Sequence, residues 1–416
     1  MILMDKQTTQ SALKHKHWLT PDSLDFNSFR QQVEQTTQAA DWPLASEVVQ
    51  NALIYKASDL PGVAGEPPDA DEVYELQAEW AEAFLNGPGI IVIKEAFVDR
   101  QITADGKEEK NTSTIDTASA LFERLIEKEK QENLGGGDHF AKPGANDRIW
   151  NTLEKHGRHD PANFISYYQN PVLAMVSQAW LGPNYQVTAQ VNRVNPGGAA
   201  QSAHRDYHLG FMSRDQAASY PAHVHQLSPA LTLQGAIAHC DMPIESGPTM
   251  FLPFSQKPLN GYVDYAGTEY QDYFNANHSQ YPLEKGDAVF FNPALMHAAG
   301  HNQTSNTFRL GNLLQVSSAF GRAIETVDRL NLIEAIYPEL KQQMDDKRLT
   351  EYQLQHVTAA AAESYPFPTN LDRDPPVNGM APHSQAMIMR DCLDKGLDTK
   401  QMMEVLLAHR QRTLSH

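Results

Sequence analysis

Between residues 185 and 320 the chain breaks into short apolar runs, "YQVTAQVNRV", "LTLQGAIAHCDM", "DAVFFNP" and "FRLGNLLQVSSAF", separated by Gly, Pro and Asn turns. Runs of this length, closed off by turn residues, predict β-strands. Several in succession predict a sandwich or a barrel, and no other feature narrows the fold as far. The flanks have a different period. "ADEVYELQAEWAEAFLNG" carries apolar residues at helical spacing and stops at Gly87, and "PGIIVIKEAF" after it predicts a buried strand. Helices are also expected in "DSLDFNSFRQQVEQTTQAADW", in "DTASALFERLIEKEKQENL" before the glycines at 135–137, over 164–181 with a break at Pro171, from 322 to about 347, and over roughly 384–412. The polar stretch 138–160 reads either as a loop over an active site or as an irregular connection. An α+β fold follows: a β core wrapped by helices, divided as 1–79 (helical extension), 80–321 (β domain) and 322–416 (helical extension packed on the core).

Bulk properties exclude several function classes. A net charge of −18 over 416 residues repels nucleic acid and anionic membrane surfaces, and no dense Lys/Arg run offsets it. Cys240 and Cys392 are the only cysteines, too few for a disulfide framework or a cysteine zinc module, so a reducing cytoplasm is expected. The opening "MILMDKQTTQSALKHKHW" has one short apolar tetrad and predicts no secretory leader, and no apolar window is long enough to span a membrane.

Seventeen histidines offer many accidental pairs, so geometry has to choose among them. In a strand, residues i and i+2 share a face, which lets His204 and Asp206 of "QSAHRDYHLGF" reach one cation while Arg205 points away. An imidazole and a carboxylate so placed are two members of the facial set that non-haem iron(II) oxygenases use. "HCD" (His239 to Asp241) has the same spacing, with a buried or lining histidine as its plainer reading. "HVH" (His223 to His225) resembles the metal pair of some cupin barrels but lacks a following glutamate. A third ligand has to come from another strand, and His297, with His301 as its rival, follows the apolar run "DAVFFNP". Arg309 lies inside the next apolar strand. Burying it requires a carboxylate, supplied either by a protein acid or by a bound dicarboxylate.

Seven stretches in order, "FLNGPGIIVIKEAF", "LG" at 181–182, "QVNRVNPGG", "HRD", "ESGPTMFLPFS", "GDAVFFNP" and "HAAGHNQTSNTFR", resemble the phytanoyl-CoA dioxygenase family of iron(II) and 2-oxoglutarate-dependent oxygenases over roughly residues 80–320. The resemblance implies a double-stranded β-helix, a jelly-roll barrel with the metal inside one mouth. It implies iron ligation by His204, Asp206 and His297, and binding of the distal carboxylate of 2-oxoglutarate by Arg309. Gln190 matches the family's glutamine beside the cosubstrate, and Asn192 shares its face. The chain departs from the family pattern at Ala299, where a serine is common. Thr249 or Thr307 is the candidate substitute. Asp241 falls where the family places an aspartate in the strand before "GP", which makes "HCD" a lining element.

The resemblance also implies a cytoplasmic oxidoreductase that consumes dioxygen and 2-oxoglutarate, releases succinate and carbon dioxide, and attacks a C–H bond of a small-molecule substrate. The carboxylate at Asp206 favours hydroxylation, or a related desaturation or ring closure, over halogenation. Tyr207, His208 and Phe211, together with His139, Lys142, Arg148 and Trp150, are candidate substrate residues, and His239 a candidate lining residue. Two other readings compete: a cupin-like metalloenzyme that needs no 2-oxoglutarate, and a non-catalytic small-molecule binding protein on the same barrel. Arg309 separates the first from the oxygenase reading, and the survival of all four polar groups argues against the second.

Overall fold

Side chains of a strand point alternately to its two faces, so a sheet buried on both faces must be apolar or polar by row and not by strand. A computed structural model, describing residues 14, 16–20, 25–63, 67–102, 108–132, 144–259 and 261–416, contains such a sheet. Its eight described strands run in the order β1 (Glu47–Val49), β2 (Ala52–Lys56), β3 (Ile90–Lys94), β11 (Ala288–Phe291), β8 (Thr232–Ala238), β13 (Arg309–Ser318), β7 (Tyr185–Val194) and β6 (Asn146–Ile149). Only β2 and β3 pair in parallel; every other neighbouring pair is antiparallel. β9 (Met250–Phe251), β10 (Ser279–Gln280) and β12 (His297–Ala298) form a smaller sheet in the order β10, β9, β12. β4 (Asp99–Ile102) and β5 (Glu108–Asn111) pair antiparallel in a separate two-stranded sheet.

The rows of the large sheet divide its two environments. Val187, Ala189 and Val191 of β7, Leu233 and Ile237 of β8, and Leu310, Leu314 and Val316 of β13 belong to one hydrophobic core, packed beneath helices. The intervening positions, Gln190 and Asn192, Gln234 and Ala236, Gly311 and Leu313, line a cavity on the opposite face. Toward β3 that second face becomes apolar: Ile90, Val92, Val289 and Phe291 pack against Phe251, Tyr281 and Leu283, which joins the small sheet to the large one. The protein is therefore mixed α/β, built on one large and mostly antiparallel sheet.

Helices cover the apolar face of the large sheet, and two of them pack on the small sheet. In chain order the longer ones are α1 (Phe26–Val33), α2 (Ala70–Leu85), α3 (Ser113–Gln131), α4 (Thr152–His159), α5 (Pro161–Tyr168), α6 (Pro171–Leu181), α7 (Thr268–Asn277), α8 (Arg329–Asp345), α9 (Glu351–Ala361), α10 (Gln385–Asp394) and α11 (Thr399–Thr413). The expected break at Pro171 is the boundary between α5 and α6, where Asn170 caps the second helix through the amide of Leu173. α8 lies on α4 across Gly157, where a β-carbon would come within 2.2 Å of a Leu332 methyl. Among the described residues no helix is long and apolar enough to cross a membrane.

Two expectations are corrected, and "HVH", already set aside as a metal pair, is located. Residues 47–56, assigned to a helical extension, form β1 and β2 and extend the large sheet. "ALIYK" is buried on both faces and too short to show a period. "HVH" lies in a short helix, Ala222–Leu227, with His225 buried against Tyr207 and His223 exposed, so no strand aligns the pair. The stretch 138–160 is neither a simple loop nor wholly irregular: its described part holds β6 and α4. The glycines at 135–137 lie outside the described residues.

The close approach at Gly157 predicts that Gly157→Val overpacks the contact between α4 and α8. Chemical denaturation is expected to show a loss of about 1–3 kcal/mol. An unchanged midpoint would contradict this packing.

Candidate metal centre and cavity

Two segments about ninety residues apart build the centre. Residues 201–206 run antiparallel to 293–299. The amide of Gln201 donates to Ala299 O (2.9 Å) and that of Asp206 to Pro293 O (2.9 Å), while His204 and His297 exchange both backbone hydrogen bonds at 2.9 and 3.1 Å. β12 pairs on its other side with β9, His297 opposite Phe251, so the small sheet carries both histidines. Arg205 points away, as alternation requires. Its guanidinium is fully buried, donates to Ala294 O and to Ser255 O (2.7 Å), and sits 4.7 Å over the Tyr262 ring.

His204, Asp206 and His297 present donor atoms that all lie within 4.8 Å of one another. Nε2 of His204 is 3.7 Å from Asp206 Oδ1, and Nε2 of His297 is 3.4 Å from Asp206 Oδ2. Each histidine is oriented by the carbonyl two residues before it: His204 Nδ1 meets Ser202 O and His297 Nδ1 meets Leu295 O, both at 2.9 Å. A carbonyl only accepts, so Nδ1 carries the proton in each ring and the Nε2 lone pair faces Asp206. Phe291 stands edge-on to the His297 ring at 4.8 Å and keeps that side dry. Burial, followed by the neighbouring His297, lowers the His204 pKa and favours the neutral ligand form. Burial alone would raise the Asp206 pKa. When the rings are protonated at Nε2 as well, the hydrogen bond from His297 and the charges of both histidines, together with the bond from Gln234, outweigh it and hold the carboxyl well below the usual range.

Gln234 completes this arrangement, its Nε2 donating to Asp206 Oδ2 at 2.6 Å. Sequence reasoning missed it, although a glutamine inside the apolar run "LTLQGAIA" was a usable signal, as was Gln315 in "NLLQVSS". The two face each other across β8 and β13, and both line the cavity.

Arg309 opens β13 and lines the same cavity, 7% exposed. Its Nη1 donates to Ser246 O at 2.9 Å and lies 3.5 Å from Gly300 O, three residues beyond His297. Gly247, at φ 69°, makes the turn that presents the Ser246 carbonyl. A β-carbon there would meet His301 O at 2.3 Å. Burial pulls the Arg309 pKa down to about 10, and among the described residues no carboxylate forms an ion pair with it. Of the two open readings for its partner, the protein acid is therefore absent from the described structure.

The remaining candidates divide. Gln190, Asn192, Thr249, Arg148, Trp150 and Phe211 all line the cavity. Gln190 Oε1 accepts from Arg148 Nη1 at 2.8 Å, and Arg148 lies 5.1 Å from the Trp150 ring. Asn192 Oδ1 is buried without a hydrogen-bond partner. Tyr207 and His208 are outside the cavity, because the extended segment ends at Asp206 and a 3-10 turn, His208–Phe211, begins. Alternation no longer applies beyond that point. Tyr207 is fully buried between His225 (3.1 Å) and Tyr262 O (3.1 Å), and His208 Nε2 meets Arg322 O at 3.0 Å. His239 also faces away: Ala238 takes the cavity side, and His239 is buried between Ser119 Oγ (2.8 Å) and the Tyr167 hydroxyl (2.9 Å). Burial there drives its pKa down to about 3. His301 is exposed and bonds Gly198 O, and Thr307 does not line the cavity. His139 and Lys142 lie outside the described residues.

The family model described as phytanoyl-CoA dioxygenase (PhyH) matches residues 69–311. A curated relative, dioxygenase cdmA of Talaromyces verruculosus, is 27% identical over 252 residues, 60% of this chain and 76% of that protein. Similar solved structures include the non-haem α-ketoglutarate-dependent carbocyclase SnoK from nogalamycin biosynthesis, with 16% identity, a TM-score of 0.41, and coverage of 59% of this chain and 86% of that one. The epimerase SnoN from the same biosynthesis has 14% identity, a TM-score of 0.40, and coverage of 59% and 82%.

Removing the Gln234 amide should loosen Asp206. Gln234→Leu is expected to weaken iron(II) binding about 10- to 100-fold, measured by anaerobic competition against a chelator. An affinity equal to that of the parent protein would contradict the role assigned to this hydrogen bond.

Proposed function

The chain belongs to the phytanoyl-CoA dioxygenase family, and from that premise we propose that it is a non-haem iron(II) and 2-oxoglutarate-dependent oxygenase that hydroxylates a small molecule and releases succinate and carbon dioxide. In this reading the two sheets are the halves of a double-stranded β-helix. Residues 80–321 form the catalytic unit, joined by β1 and β2 from the segment 1–79 and covered by the helices of 322–416.

The observation that carries the proposal is the pairing of one His-Asp-His cluster with one buried arginine in the same cavity. Two neutral imidazoles and a carboxylate fit iron(II) and leave three positions for cosubstrate and dioxygen. A guanidinium buried without an acidic partner among the described residues fits the distal carboxylate of 2-oxoglutarate. A metalloenzyme that needs no 2-oxoglutarate, or a simple binding protein, leaves that buried charge without a purpose.

Iron(II) with 2-oxoglutarate and dioxygen supplies the oxidative attack on a C–H bond. This chain's residues supply position and exclusion of water. Ser202 O and Leu295 O fix the histidine rings, Gln234 fixes Asp206, and Phe291 shields His297 from solvent. Arg309, held in line by Ser246 O, orients the cosubstrate by a charge-assisted pairing, with Asn192 and Thr249 as neutral neighbours in the same cavity. Gln190 is held by Arg148 and so keeps a fixed orientation beside them.

Anaerobic addition of 2-oxoglutarate to the iron(II)-loaded protein is expected to give the weak visible charge-transfer band of the chelate. Arg309→Ala is expected to retain iron while weakening 2-oxoglutarate by at least about 30-fold. A metal-loaded parent protein without the band, or an unaffected variant, would overturn the proposal.

A further inference from the structure

The cavity measures about 770 Å³, a size suited to a drug-sized ligand, and 2-oxoglutarate fills only a fraction of it. Its lining is selective in charge. The chain has 51 acidic residues, yet among the described residues Asp206 is the only carboxylate facing this space, and it is held by the two histidines and Gln234. Among the described residues a substrate ammonium group would find no carboxylate other than the engaged Asp206, and stripping water from that charge without a free partner is strongly unfavourable.

The mouth is apolar. Phe211, 53% exposed, and Ile324, 37% exposed, line the same cavity as Met212. The two loops that carry them are joined by the hydrogen bond from His208 Nε2 to Arg322 O. Large apolar side chains left half in water at the rim of a cavity are covered when an apolar ligand sits between them. On the sheet behind the rim, Gln315 faces inward opposite Gln234, and its amide oxygen is buried without a donor. Such an oxygen is satisfied by an O–H group of a ligand.

Resting on the reading of this cavity as the oxygenase site, we propose that the substrate is a predominantly apolar molecule with a hydroxyl group and no free amine, its hydroxyl donating to Gln315 and its apolar body enclosed by Phe211, Met212 and Ile324. Gln315 is then a specificity residue. Through its place beside the Gln234–Asp206 pair, it sets which carbon of the substrate lies nearest the metal.

The test uses the full-length protein free of metal and cosubstrate, so that its outcome is independent of iron and 2-oxoglutarate binding. Three phenanthrene probes, unsubstituted, hydroxylated and aminomethylated, are titrated by fluorescence. The hydroxylated probe is expected to bind about tenfold more tightly than the parent hydrocarbon, and the ammonium form at least tenfold more weakly than the hydroxylated one. Gln315→Leu is expected to bring the hydroxylated and unsubstituted probes to equal affinity while retaining both. Phe211→Ala, a change at an exposed position, is expected to weaken all three about fivefold. Ammonium binding equal to hydroxyl binding, a hydroxyl preference that survives Gln315→Leu, or indifference to Phe211→Ala would overturn the assignment. Iron(II) and 2-oxoglutarate titrations of the same variants report separately on the reading beneath it.

Discussion

The two backbone hydrogen bonds exchanged by His204 and His297 couple the sequence to the chemistry. They bring together segments about ninety residues apart, and they do so in antiparallel register, which decides which side chains share a face. With that pair fixed, Asp206 must lie on the same side as His204, and Arg205 must enter the opposite core. Arg205 reinforces the pairing from below: its guanidinium binds carbonyls of both the 293–296 stretch and the chain near Ser255. A one-residue slip would move every ligand to the wrong face.

The large sheet provides the complementary constraint. Its central strands are buried on both sides: on the helix-covered side Asn312 is held by the Tyr167 hydroxyl, while Gln190, Asn192, Gln234, Arg309 and Gln315 lie in rows that reach the cavity. Amides dominate this wall. They are uncharged, so they do not disturb the charge balance of a site that holds a carboxylate, two imidazoles and a guanidinium. They can also hold Asp206 or a ligand in place with hydrogen bonds.

What the sequence made legible follows the reach of each rule. The spacing of His204 and Asp206 could be read because the segment is extended through residue 206, and His297 because an apolar strand and a turn precede it. His208 was assigned by extending the same alternation past Asp206, where the backbone turns into a 3-10 segment and the rule lapses, and Tyr207 was assigned only because it follows the HxD stretch. His239 was misplaced by one position of parity: Ala238 faces the cavity, so its neighbour cannot. Strands β1 and β2 were missed because three- and five-residue strands with no alternation carry too little periodic signal. The position of Arg309 was visible, but the absence of an acidic partner among the described residues required the tertiary structure.

Ligation of a single iron by His204, Asp206 and His297 is tested most directly by X-ray absorption at the iron edge of the anaerobic iron(II) protein. The spectrum is expected to fit two imidazole rings with oxygen donors completing the shell, and His297→Ala is expected to lose one imidazole contribution. A sulfur donor, or an unchanged histidine contribution in that variant, would contradict the centre described here.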